Sequence, residues 1–89
     1  MFNQNLLFKL MSSHSKAYQE LKGNEIFLSL IEQINQNSVV LDIGANVGNI
    51  SNFLLEKKGP KIFAFEPNRL CFEILLRRFL DDKRIQIFN

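Results

Sequence analysis

The 89-residue sequence predicts an α/β protein: a Rossmann-like β-α-β-α-β half of a doubly wound parallel sheet, preceded by one or two helices. Three observations carry that reading. The runs Val39-Val40-Leu41-Asp42-Ile43 and Lys61-Ile62-Phe63-Ala64-Phe65 are short and almost continuously apolar, as strands buried on both faces are. After each run, apolar residues recur at helical spacing. A glycine-bearing loop joins the first run to the helix behind it. Strands that alternate with helices in this way need right-handed crossovers, which leave the strands parallel.

The first stretch is the least regular. Leu6, Leu7, Leu10 and Met11 make a short helical stripe, and Ser12-Ser13-His14-Ser15 breaks it. Ala17, Tyr18 and Leu21 add another helical turn before Gly23. Residues 1–23 are therefore an N-terminal helical or irregular extension, and residues 24–89 the Rossmann-like domain. Asn24 can cap a helix, with Glu25 near its positive end. Phe27, Leu30, Ile31 and Ile34 lie on one face of it, and Asn35-Gln36-Asn37-Ser38 ends it.

Past the first strand, Gly44-Ala45-Asn46-Val47-Gly48 is a tight loop. Ile50, Phe53, Leu54 and Lys57 then mark a helix that Gly59-Pro60 stops, with Lys57 and Lys58 suiting its negative end. Glu66-Pro67 closes the second strand. Asn68 can cap the next helix, whose stripe is Phe72, Leu75, Leu76 and Phe79, with Glu73 and Arg77 spaced to pair. Asp81-Asp82-Lys83-Arg84 turns the chain into a third strand, Ile85-Gln86-Ile87-Phe88.

The composition is that of a chain that buries a core: 46% hydrophobic, 22% charged, with nine Phe. Eleven Lys and Arg against nine Asp and Glu give a net charge of +2, too balanced for a polyanionic partner, so no nucleic acid is expected. No stretch reaches the roughly 20 apolar residues of a membrane span, and the N-terminus lacks the basic start of a signal peptide. The lone Cys71 excludes an internal disulfide. A cytoplasmic protein with no membrane contact is expected. Cys71 reads as a small buried hydrophobe, His14 lies in a polar break, and no metal site is expected.

In a parallel α/β sheet, ligands sit beyond the carboxyl ends of the strands. Two features fall there. The loop from Asp42 through Gly48 runs into a helix N-terminus, whose unpaired N–H groups attract anionic groups. Gly44 permits a sharp turn, and Gly48 lets the following helix pack close to the strand. Asp42 can bond loop N–H groups, a structural task compatible with ligand contact. The second feature is Glu66, 22 residues past Gly44 (66 − 44), near the spacing of about 20 at which an acid reaches ribose hydroxyls. A dinucleotide fingerprint would need Gly at positions 46 and 49; both are Asn, which disfavours NAD or FAD.

Val40-Leu41-Asp42-Ile43-Gly44-Ala45-Asn46-Val47-Gly48-Asn49, with Ile62-Phe63-Ala64-Phe65-Glu66-Pro67-Asn68, resembles the class I S-adenosylmethionine-dependent methyltransferases. Gly-Ala-Asn-x-Gly and Phe-Glu-Pro-Asn are most similar to the FkbM-type branch. The resemblance implies S-adenosylmethionine as cofactor. Asp42, Gly44, Ala45, Asn46 and Gly48 would line its methionyl end, and Glu66 would take its ribose hydroxyls. It implies methyl transfer to a hydroxyl of a small molecule or sugar.

The same resemblance implies a seven-stranded sheet, of which this chain holds three strands. The chain is thus expected to be a truncated methyltransferase, inactive alone, with no catalytic base of its own. The first strand would be a bare apolar edge, and a separate chain supplying the missing strands is the partner such an edge would take. Two other readings stand beside this one: a non-catalytic nucleoside-binding or split-protein module, and a fragment of a different α/β nucleotide-binding enzyme.

Overall fold

The computed structural model describes residues 6–9, 29 and 31–89. In chain order the elements are β1 (Leu6–Lys9), β2 (Val39–Ile43), α1 (Asn49–Lys57), β3 (Lys61–Phe65), α2 (Arg69–Arg78) and β4 (Ile85–Phe88). All four strands are parallel and lie side by side in the order β1-β2-β3-β4. The β2-α1-β3-α2-β4 path is the expected Rossmann-like half.

The N-terminal strand differs from expectation. Leu6–Lys9 is not helical: it pairs with β2 from Leu6 opposite Val39 to Lys9 opposite Asp42. Leu10 and Met11 lie outside the described residues. A short apolar run carries no periodicity that separates helix from strand. Here the row of backbone donors and acceptors along β2 decides, because an edge left open would lose those bonds. The bare edge expected for Val39–Ile43 is therefore covered by β1.

Each step from β2 to β3 to β4 moves the same way across the sheet. Right-handed crossovers then put α1 and α2 on one face. Burial follows: Val40, Asp42, Ile62, Ala64 and Ile85 are buried, and their neighbours in each strand are not. The strands are thus buried on one face rather than on both, as their apolar runs suggested. The core joins Val40, Ile62, Ala64 and Ile85 to Leu54 and Leu55 of α1, Leu75 of α2 and Phe79 just past its end. Leu54 and Leu75 are 2% and 0% exposed; burial of a side chain of this size contributes about 1.5–3 kcal/mol. On the other face, the Phe65 and Phe88 rings stack at 5.0 Å, and Lys61 Nζ lies 5.4 Å from the centre of the Phe63 ring.

Local signals set the helix ends. Asn68, in extended conformation, accepts the N–H of Cys71 at 3.0 Å and starts α2. At the end of α1, Lys58 N and Gly59 N both donate to Leu54 O; Gly59 has φ +64, and Pro60 cannot continue the helix. The buried faces are narrower than the spacing implied. In α1 they are Ser51, Leu54 and Leu55, leaving Phe53 exposed. In α2 Leu75 is buried, as is Phe79 just past the helix end, while Leu76 is exposed. Glu73 pairs with Arg69 at 3.3 Å rather than with Arg77. Both arrangements are i, i+4; the pair that forms puts the base N-terminal to the acid, the less favoured order along the helix dipole, and both side chains are solvent-accessible.

Of the helix expected over residues 24–34, Ser29, Ile31 and Glu32 are helical, and Ile31 and Ile34 join the core. Asn24, Glu25, Phe27 and Leu30 lie outside the described residues. Ser38 Oγ accepts Asn35 N at 2.9 Å where the chain turns into β2. No helix among the described residues is long and apolar enough to cross a membrane.

Candidate functional site

The carboxyl ends of β2 and β3 meet at one rim. β2 ends at Ile43, and the loop of residues 44–48 folds back over the end of β3: Gly44 N and Ala45 N both donate to Phe65 O, at 2.9 and 3.0 Å. Gly44 takes φ +73 and Asn46 φ +57, a left-handed conformation that Asn tolerates better than most residues. Gly48 N donates to Ala45 O and closes the turn.

Glu66 stands one residue past β3, and its carboxylate turns into this loop. Oε1 accepts Asn46 N at 2.6 Å, and Oε2 accepts Asn68 N at 2.8 Å. Its own N–H donates to Phe88 O at the end of β4, and its carbonyl accepts Asn89 Nδ2. One acid thus ties the glycine loop, the start of α2 and the last strand into a single edge. Cys71, half-buried rather than fully buried, places its Sγ 3.5 Å from Asn46 Oδ1.

The six residues expected at the site are together but not equally accessible. Asp42 is fully buried on the helix-facing side, where its Oδ2 accepts Ser51 Oγ at 2.6 Å. Ala45 joins the core. Gly48 is buried, and its closest neighbours lie on α2 and its C-terminal cap rather than on the strand: a Cβ there would lie 2.6 Å from Leu75 Cδ1 and from Phe79 Cε2. Glycine is required at position 48 by helix-to-loop contact as well as by its φ of +93. Gly44 and Asn46 remain partly exposed. A Cβ on Gly44 would meet nothing within 4 Å, so conformation and not space selects glycine there.

Ser51, Asn68, Arg78 and Asn89 were not singled out as site residues, yet each holds an atom of the rim. Arg78 Nη1 donates to Val47 O at 3.0 Å and to Asn49 Oδ1 at 2.8 Å. No sequence motif marks these contacts, because their partners are mostly backbone atoms positioned by the loop.

The edge suits an adenosyl cofactor. Gly44 leaves open space, and a carboxylate offers about four lone-pair positions, of which two are filled by the backbone donors above. Two remain for a vicinal diol. Glu66 is 7% exposed, so that approach is narrow.

No protein-family model matches this chain. A probable ribosomal RNA small subunit methyltransferase A of Methanococcoides burtonii is 34% identical over 61 residues, covering 66% of this chain and 22% of that protein. The chain is therefore similar to a methyltransferase and spans about a fifth of that relative's length. The expectation of a small-molecule or sugar substrate and no nucleic acid is overturned, since the relative is named for action on ribosomal RNA. A net charge of +2 is a sum over the whole chain; nucleic-acid binding depends on how charge is distributed over one surface.

Proposed function

We propose that this chain is the cofactor-binding part of an S-adenosylmethionine-dependent methyltransferase. The observation that carries the reading is the 2.6 Å bond from Asn46 N to Glu66 Oε1, which joins the glycine loop and the strand-end acid at one rim. Likeness to a methyltransferase supports it independently. Gly44 and Asn46 face the methionyl end of the cofactor. Asp42, Ala45 and Gly48 act from beneath, by shaping the loop. The remaining lone pairs of Glu66 accept the ribose hydroxyls. The FkbM-type affiliation rests on the Gly-Ala-Asn-x-Gly and Phe-Glu-Pro-Asn segments alone.

The bound cofactor supplies an activated methyl group on sulfur. The chain's own residues bind and orient it, and proximity does most of the work in such a displacement. The likeness to a ribosomal RNA enzyme makes RNA the proposed acceptor class. Calorimetry with S-adenosylmethionine and NAD side by side tests the reading: saturable binding of the first and none of the second is expected. Preference for NAD, or no binding of S-adenosylmethionine, overturns it.

A further inference from the structure

The glycine loop is held at three places. Phe65 O holds its entry and Glu66 its middle. Its exit is held from α2 by Arg78, which grips the residues on either side of Gly48: the Val47 carbonyl and the Asn49 side chain. Gly48 is the N-cap of α1, and no side chain caps that helix; its first turn carries no acid. The helix therefore begins at the most flexible residue type, without the hydrogen bond that usually fixes such a start. A cation at this positive end runs against the helix dipole, so the two hydrogen bonds must hold it there. The Arg78 guanidinium also lies 5.6 Å from the centre of the Phe79 ring, which packs beneath Gly48.

We infer that Arg78 is a positioning residue for the cofactor loop. A guanidinium has no acceptor and cannot take up the helix's free N–H groups as a cap would, but by donating to Val47 O and Asn49 Oδ1 it fixes residues 47–49, so that the loop is already shaped when ligand arrives. The inference rests on the cofactor-binding reading above, and Arg78 itself need not touch the ligand. Its effect on affinity is the ordering that it spares at binding.

The test combines Arg78→Ala and Arg78→Lys with two measurements on the 89-residue chain. Amide hydrogen exchange without ligand should speed up at residues 46–49 in Arg78→Ala, with the β3 amides unchanged. S-adenosylmethionine affinity should fall about fivefold. Arg78→Lys, which keeps a donor and a charge, should recover part of both. Exchange at residues 46–49 that matches wild type overturns the inference, as does an affinity within about twofold of wild type. Faster exchange throughout Arg78→Ala would mean general destabilisation; Arg78→Lys then decides, since faster exchange confined to residues 46–49 supports the loop-specific role and faster exchange spread over the β3 amides overturns it. Failure of the wild-type chain to bind S-adenosylmethionine removes the functional reading, while the exchange measurement still decides whether Arg78 holds the loop.

Discussion

Glu66 Oε1 accepts the N–H of Asn46 from twenty residues upstream at 2.6 Å, while Oε2 accepts that of Asn68 at 2.8 Å. The acid therefore organises the loop before any ligand is present. Loss of Glu66 removes a structural tie and a proposed ligand contact together.

Glu66→Ala should weaken S-adenosylmethionine binding at least tenfold, which is about 1.4 kcal/mol. Glu66→Gln is not a mild change here. Both carboxylate oxygens face backbone donors, so the amide NH2 of Gln must confront one of them. A buried donor left unpaired costs about 1–3 kcal/mol, and chemical denaturation should show that loss without ligand. Unchanged stability of Glu66→Gln would mean that the two bonds do not hold the rim.

The two loop glycines should respond differently to alanine. Gly44→Ala meets no atoms and costs only the left-handed conformation, about 1–2 kcal/mol. Gly48→Ala adds a clash with Leu75 and Phe79, both in the core, for about 2–5 kcal/mol in all. Thermal midpoints of the two variants check the order, with Gly48→Ala the lower.

Ser51→Ala should destabilise by about 1.5–3 kcal/mol, because it removes a donor from a fully buried carboxylate. Denaturant unfolding measures it directly.

The turn before β4 predicts an acid-limb effect. Hydrogen bonds from the Arg84 side chain hold the Asp82 carboxyl below its ordinary value of 3.8. A depressed folded value means that the stabilisation is complete at neutral pH and is lost as pH falls through and below 3.8. The pair is solvent-accessible, so the contribution is only about 0.2–1 kcal/mol. Wild type should therefore exceed Asp82→Asn in thermal midpoint at neutral pH, and the gap should narrow in strong acid.

Much of this was legible from residue order. Asn68 announced the start of α2 and Gly59-Pro60 the end of α1, since caps are local chemistry. The spacing from Gly44 to Glu66 foretold a shared rim, because crossovers return each strand's end to one edge. The contacts that hold the rim were not legible. The donors to Glu66 are backbone groups of Asn46 and Asn68, and Arg78 finds Val47 and Asn49 across a helix packing that no spacing encodes.

Residue order alone settled the strand-helix alternation, the glycine turn and the acid beyond β3, since each depends on neighbours a few positions away. Tertiary structure decided the rest. Leu6–Lys9 became a strand because the open edge of β2 lay beside it, and Gly48 had to be glycine because α2 crosses there. Asp42 was turned from the rim into the core by the two-residue alternation of its strand, with Ser51 waiting on the helix above.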